Sequence, residues 1–470
     1  MASLARRVVG ALVLGIAAVS AATTYSIDSD DGLRRIGILT RPRCHQTDIQ
    51  DDCLRLDDLL QRKPVWTNTW YSPRASSRWR LLLVGGGALW GAMIDYWHLT
   101  GDTTYNDVVT QSLLWQVGPN RDYMPPNVTV SLGNDDQGFW GMTAMQAAEE
   151  NFPNPPADQP QWLALAQAVF NTQANPDRHD KTCNGGLRWQ IPFSNNGYDY
   201  KNSIANGCFF NLGARLARYT NNQSYADWAD KTWDWMQSVG FMDKDYNIYD
   251  GAHVETNCTD INRAQFSYNN GVFLLGAAHM YNYTNGSAIW KGRVEGLLNA
   301  TIHTFFQNGI AFEISCETHM TCTTDMLSFK GYVARWMATM TKIAPFTTDT
   351  VMNTLKTSAA AAIKTCTGGP TGRACGFGWT TGAFDGSMGA GQQMDVLGTV
   401  SSLLIKEAKP PLTNGTGGTS TGDYNAGIGG DDFMGHTAPI TTGDKAGAAI
   451  LTILLLGGAG GLFGWMSGGL

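Results

Sequence analysis

Gly207-Cys208-Phe209-Phe210-Asn211-Leu212-Gly213-Ala214-Arg215-Leu216-Ala217-Arg218-Tyr219-Thr220-Asn221-Asn222 is the stretch on which the fold turns. Its apolar residues recur at helical spacing, and Thr-Asn-Asn ends it as a turn. The same unit returns. Gly87-Ala88-Leu89-Trp90 runs to Tyr96 and stops at Thr100-Gly101-Asp102, and Gly271-Val272-Phe273-Leu274 runs to Tyr283 and stops at Thr284-Asn285-Gly286. A second helix follows each turn, with Tyr105, Tyr225 or Trp290 near its start, and Asp136-Gln137-Gly138-Phe139-Trp140 opens a looser fourth copy. Repeated helix pairs build a solenoid or a closed helical toroid.

Working outward, helical spacing predicts helices over 88–99, 104–115, 138–150, 161–172, 203–219, 224–238, 268–283, 288–306, 324–341, 348–364 and 390–406. The reading is all-α. A twelfth helix would complete six hairpins, an (α/α)6 barrel. An open solenoid is the rival, but the segments 116–134, 173–201 and 240–266 are long and irregular, as loops that build a site at one end of a barrel are.

Residues 22–87 do not fit this pattern. Nine arginines fall within 33–86, against eleven in the rest of the chain. Leu-Leu-Val-Gly-Gly-Gly at 82–87 is what codons for an aromatic Tyr-Tyr-Trp-Trp-Glu-Ala-Gly stretch give when read two bases late. The expectation is a gene-model error that disrupts the first hairpin; a genuine disordered insertion is the alternative.

Chemistry concentrates at Asn134-Asp135-Asp136-Gln137-Gly138-Phe139-Trp140-Gly141. Adjacent carboxylates at a helix start sit where free N–H groups and the dipole favour negative charge. One stays ionised, while its crowded neighbour can hold a proton. Retaining glycosidases need two carboxyls roughly 5–5.5 Å apart, which neighbouring residues can meet. The same dipeptide also serves as an ordinary cap, and Asp431-Asp432 repeats it in a Gly-rich stretch. Asn134, Trp140, Trp189, Tyr200, Asn202, Asn206, Tyr268 and Asn269 stand near helix starts as candidate sugar contacts: the aromatics for stacking, the amides for hydroxyls. For each alone, packing or capping is the stronger reading. No metal set is evident, His253 and His279 read as structural, and no cofactor is expected.

At these residues the chain resembles the fungal GPI-anchored mannan endo-1,6-α-mannosidases of glycoside hydrolase family 76. The likeness runs from about Ala88 to Lys406. It includes Gly91-Ala92-Met93-Ile94-Asp95-Tyr96-Trp97, Thr100–Asn106, the passage 116–142, Gly186-Leu187-Arg188-Trp189-Gln190, Asn196–Asn202 and Asn257–Asn262. The resemblance implies an (α/α)6 barrel and a retaining mechanism, with Asp135 as nucleophile and Asp136 as general acid/base. It implies α-1,6-linked mannose chains, mannan or the mannose core of a GPI glycan, as substrate. A sugar acceptor such as β-glucan would make the enzyme a transglycosylase of the cell wall. A catalytically silent mannan-binding scaffold and a polysaccharide lyase are the other readings.

The ends read as processing signals. Arg6-Arg7, the apolar run Val8–Ala18 and Val19-Ser20-Ala21 form a secretory signal peptide over 1–21. Residues 409–443, rich in Gly and Thr, suggest a flexible stalk. Residues 444–470, apolar and Gly-rich at the end, suggest a GPI signal with attachment at Gly443, and hence a place at the outer face of the plasma membrane and in the wall. Asn127, Asn222, Asn257, Asn282, Asn285, Asn299 and Asn414 are glycosylation acceptors in such a compartment. The net charge of −7 argues against a nucleic-acid partner. Nine cysteines are expected to pair mostly: Cys366 with Cys375, Cys316 near Cys322, and Cys183 and Cys208 bracketing a loop. If Cys44 and Cys53 belong to the mistranslated stretch, one of the remaining seven lacks a partner.

Overall fold

The computed structural model describes residues 83–428, except 127, 129, 130 and 371, together with parts of 443–457. Residues up to 428 form one compact unit, and 429–470 belong to another. The signal peptide, Cys44, Cys53, Asp431-Asp432, Asn127 and the stretch 22–82 lie outside the described residues.

Eleven α-helices are described: α1 (Leu83–Thr100), α2 (Asn106–Trp115), α3 (Asn134–Glu149), α4 (Trp162–Ala174), α5 (Ser203–Thr220), α6 (Gln223–Ser238), α7 (Ser267–Tyr283), α8 (Ala288–Phe305), α9 (Phe329–Thr341), α10 (Thr348–Lys364) and α11 (Ala390–Ser401). The odd-numbered helices form an inner ring. Each packs on the next, and α11 closes on α1, so the solenoid alternative fails and the toroid holds. The even-numbered helices lie outside, and after α11 come two 3-10 helices, Ser402–Glu407 and Asn414–Thr416.

The repeated glycine explains the ring. A Cβ on Gly87 would meet the Phe139 backbone at 3.1 Å, on Gly138 the Cys208 side chain at 2.6 Å, on Gly207 Val272 at 2.5 Å, on Gly271 Trp336 at 2.8 Å, and on Gly331 the Asp395 backbone at 2.8 Å. A glycine on each of α1, α3, α5, α7 and α9 therefore permits the close crossing with the next inner helix. The inner helices are buried almost all round; α5 exposes little beyond its last turn. The outer helices bury one stripe, as α6 does with Tyr225, Ala229, Trp233 and Met236. Far from the N-terminal ends, Arg215 pairs with Glu149 at 2.6 Å, and Arg335 pairs with Asp95. Both pairs are buried, so losing one partner would strand a charge, at a cost of about 3–5 kcal/mol.

Two boundaries differ from expectation. Residues 83–87, assigned to the atypical segment, form the first turn of α1, because the glycines there fit against α3. The first part of the expected stalk, 409–428, is packed against the barrel. Leu412 N–H donates to Glu149 O at 2.7 Å, Arg218 donates to Pro411 O, Ser420 Oγ accepts from Leu163 N–H at 2.9 Å, and Asn171 donates to Tyr424 O and Ala426 O. The strap is held by backbone groups, which Gly/Thr composition conceals.

The disulfides are Cys183–Cys258, Cys316–Cys322 and Cys366–Cys375, and Cys208 is the unpaired one of the seven described. The bracketing of Cys183 with Cys208 is thereby corrected: Cys208 lies in the ring beneath Gly138, while Cys183 ties the loop before α5 to the loop before α7. No described helix is long and apolar enough to cross a membrane. The acceptors Asn257, Asn282, Asn285, Asn299 and Asn414 are exposed, and Asn222 is half-buried at the start of α6.

Candidate active site

The inner helices are parallel, so their N-termini gather at one end of the ring. Here the long loops collect. A small antiparallel sheet of β1 (Tyr200–Asn202), β2 (Gly251–His253) and β3 (Ile261–Asn262) joins them. Lys201, wholly buried, organises the loop before it: its Nζ donates to Asp180, Thr182 O, Gly185 O and Gly186 O. Asp180 also pairs with Arg188, and these cationic partners and the Thr182 hydroxyl outweigh desolvation to hold its carboxyl down at about 2. Trp189 N–H donates to Tyr200 O, and Asn134 N–H to Trp189 O. Thus Trp189 is tied to the sheet on one side and to the start of α3 on the other.

Asp135 and Asp136 occupy the first turn of α3. Asp135 retains 7% exposure, and Asp136 is more open. The two carboxylates are held differently. Asp135 Oδ1 accepts the Asp136 N–H at 2.9 Å, and its Oδ2 accepts the Trp189 indole N–H at 3.0 Å. Asp136 turns back to accept the Gly133 N–H on Oδ2 at 2.7 Å. Burial pushes the Asp135 carboxyl up to about 7 against these donors, with the nearby Asp325 charge adding to the rise. Both carboxylates thus take backbone N–H groups at the helix start, as a cap does, and burial alters the chemistry of Asp135.

The other expected residues divide. Trp189, 37% exposed, stands beside Asp135, and the Gly197 backbone passes over its ring. Tyr268, partly exposed, stacks on Phe329 with ring centres 3.8 Å apart and adjoins Asp135. Tyr200 donates to Asp250 at 2.7 Å, and burial raises the Asp250 carboxyl. Four candidates are corrected. Trp140 is buried against Tyr123 in the core, because α3 is covered on every side. Asn202 caps α5 by accepting the Ala205 N–H. Asn206, fully buried, bonds Leu187 through both its N–H and its carbonyl oxygen. Asn134 is spent on Arg188 O and Arg178. Asn269 is fully buried, and no described group bonds its amide.

Sequence reasoning missed Gly133 and Asp325. A Cβ on Gly133 would meet Asp135 Oδ1 at 2.2 Å, so only glycine leaves room for that carboxylate. Asp325, expected inside the helix 324–341, instead stands in a 3-10 turn before α9. Asp199, His253 and Glu255 bring donor atoms within 4.8 Å of one another at the rim. His253 there pairs with Asp199 at 2.8 Å, and His279 is fully buried. A groove of about 570 Å³, lined by Asp107, Trp115 and Pro153–Pro156, involves neither carboxylate.

Comparison with known proteins places this geometry. The mannan endo-1,6-alpha-mannosidases DCW1 of Candida glabrata and Saccharomyces cerevisiae are 46% and 45% identical to the chain, each across 78% of it and 82% of their own length. The crystal structure of Dfg5 from Chaetomium thermophilum, in complex with glucosamine, superposes with a TM-score of 0.77 at 54% identity, over 86% of this chain and 98% of that one. An α-1,6-mannanase of Salegentibacter in complex with α-1,6-mannotriose shares the fold, with a TM-score of 0.56 at 14% identity over 69% of this chain and 89% of that one. The sequence profile described as Glycosyl hydrolase family 76 matches residues 73–415, so a closed ring carrying paired aspartates at its mouth belongs to a chain that is a member of that family.

Proposed function

We propose that this chain is a retaining, endo-acting α-1,6-mannosidase in which Asp135 is the nucleophile and Asp136 the general acid/base. The observation that carries it is the different holding of the two carboxylates. Asp135 has a hydrogen-bond donor on each oxygen, which fixes a carboxylate for in-line attack on an anomeric carbon. Asp136 has one oxygen on the Gly133 N–H, and its greater exposure suits a group that must meet first a leaving oxygen and then an incoming acceptor.

In the first step Asp135 attacks C1 of an α-mannosyl unit while Asp136 gives its proton to the departing O6. A β-mannosyl ester to Asp135 forms. In the second step Asp136 takes a proton from water or a sugar hydroxyl, which displaces Asp135 and restores the α configuration. The half-exposed Trp189 ring lies beside the reacting position as a stacking surface. The mannan endo-1,6-alpha-mannosidase activity of the DCW1 relatives supports the linkage, and the glucosamine bound by the Dfg5 relative suits a substrate such as a GPI glycan, whose mannose core ends on that sugar.

The cellular setting is part of the same proposal: secretion, a GPI anchor at Gly443, glycosylation at the acceptors named above, and transfer of mannose-bearing GPI glycans to wall β-glucan. The test is incubation with defined α-1,6-manno-oligosaccharides and GPI-glycan fragments, with and without a labelled β-glucan oligosaccharide. Shortened products support hydrolysis, and a labelled adduct supports transfer. Binding without either product would establish the silent scaffold instead.

A further inference from the structure

A third carboxylate faces the pair. In ring order, α9 stands opposite α3. Asp325 belongs to the 3-10 turn Thr324–Ser328 that enters α9 and packs on α11 and α1. It therefore reaches the mouth from the side opposite Asp135 and Asp136. Its charge is felt by Asp135, Tyr268 and Tyr332.

The turn has a fixed, costly shape. Thr324 adopts φ 42°, a left-handed conformation that a β-branched residue takes only under constraint. The preceding loop is closed by Cys316–Cys322. Ser328 Oγ donates to Asp325 O at 2.7 Å and lies 2.6 Å from the Tyr332 hydroxyl. The backbone of Asp325 is thus pinned, yet its carboxylate accepts no hydrogen bond and meets no cation among the described residues. Burial pushes it up to about 6. A half-buried carboxylate without protein donors is partly desolvated, and such groups are retained where water or a ligand supplies the donors. Between Asp325 and Asp135 the occupant is a sugar, and a sugar offers hydroxyls.

We propose that Asp325 binds the mannosyl unit undergoing attack, accepting hydrogen bonds from its ring hydroxyls and so presenting C1 to Asp135. This rests on the mannosidase reading above. A hydrogen bond to a charged group changes binding by roughly 10- to 150-fold, so a substrate-binding carboxylate has a measurable signature.

The test pairs enzyme and substrate changes. Aryl α-1,6-mannobiosides lacking the 2-, 3- or 4-hydroxyl of the reacting sugar are assayed with native enzyme, Asp325→Ala and Asp325→Asn, the latter carrying the test if the alanine variant does not fold. On the parent substrate both variants lose kcat/KM by roughly 10- to 150-fold. With at least one deoxy substrate the mutation costs little more, because the bond is already gone. Independent losses for every deoxy substrate, or no loss on the parent, would overturn the assignment. Native enzyme inert on the parent would instead refute the mannosidase reading.

Discussion

The indole N–H of Trp189 donates to Asp135 Oδ2 at 3.0 Å, which makes the aromatic rim of the cleft part of the electrostatics of its buried acid. This bond favours the carboxylate and opposes the burial that raises it to about 7. Trp189→Phe keeps most of a stacking ring and removes the donor. The expected outcome is a kcat lower by about 10-fold, in keeping with loss of a bond to a charged group, and an acidic limb of the pH–rate profile that moves to higher pH. An unmoved limb would show that the indole acts only as a surface.

The pH dependence follows from Asp135 as nucleophile. It must be ionised to attack, so kcat/KM of the native enzyme rises as pH approaches about 7, and it falls again where Asp136 loses the proton it must donate. Were Asp135 the acid, activity would fall through the same region. The stability sign is the same for three of the raised carboxyls, Asp135 and the buried Glu313 near 7 and Asp325 near 6. Their contribution is full below the ordinary carboxylate range and is lost as pH rises through those values. The Tm of Asp135→Asn relative to native enzyme therefore increases between pH 5 and pH 8. A constant difference across that interval would show that burial does not perturb Asp135.

Gly133→Ala places a methyl where Asp135 Oδ1 lies, 2.2 Å from the ideal Cβ position. The flexible partner must move, and that partner is the nucleophile. The expected result is loss of kcat by about 10²-fold, the scale of an ångström-sized misplacement, with a far-ultraviolet circular dichroism spectrum like that of the native protein. Full activity would mean that the Asp135 position is not critical.

The strap 409–428 stabilises the barrel rather than trailing from it. A chain stopped after Ala408 loses the Ser420 acceptor for Leu163 N–H, the Arg218 contacts to Pro411 and Leu412, and the bond from Asp423 N–H to Gln167. Its Tm is expected to fall by about 5 °C or more, equivalent to a few such bonds. Equal melting of the two forms by calorimetry would leave the strap without a stabilising role.

Much of the ring was legible because the inner-helix glycine recurs with the repeat, and each crossing needs it. Helix ends fell within a few residues of their predicted places, except that α1 began at Leu83, α3 began at Asn134, and 324–328 and 402–407 wound as 3-10 turns. The aspartate pair stood out because like charges rarely adjoin at an otherwise apolar helix start. Trp140 was misread because a helix covered on all sides has no periodic signal to distinguish cleft from core. Asn134, Asn202 and Asn206 look like sugar ligands in sequence but are used by backbone groups of irregular loops, where such partners have no pattern. Asp325 reads in sequence as one position of an expected helix and the strap carries no apolar period, so only their placement shows their use.

The central claim, two neighbouring aspartates dividing one retaining displacement, is tested most directly by azide rescue of Asp135→Ala and Asp136→Ala on an activated aryl α-1,6-mannobioside, with the product's anomeric configuration read by NMR. Azide filling the space of a missing nucleophile attacks from the β face, so Asp135→Ala is predicted to yield a β-mannosyl azide. Asp136→Ala, which still forms the ester, is predicted to yield the α-azide. The opposite pairing would exchange the two roles, and undiminished hydrolysis by both variants would contradict the account.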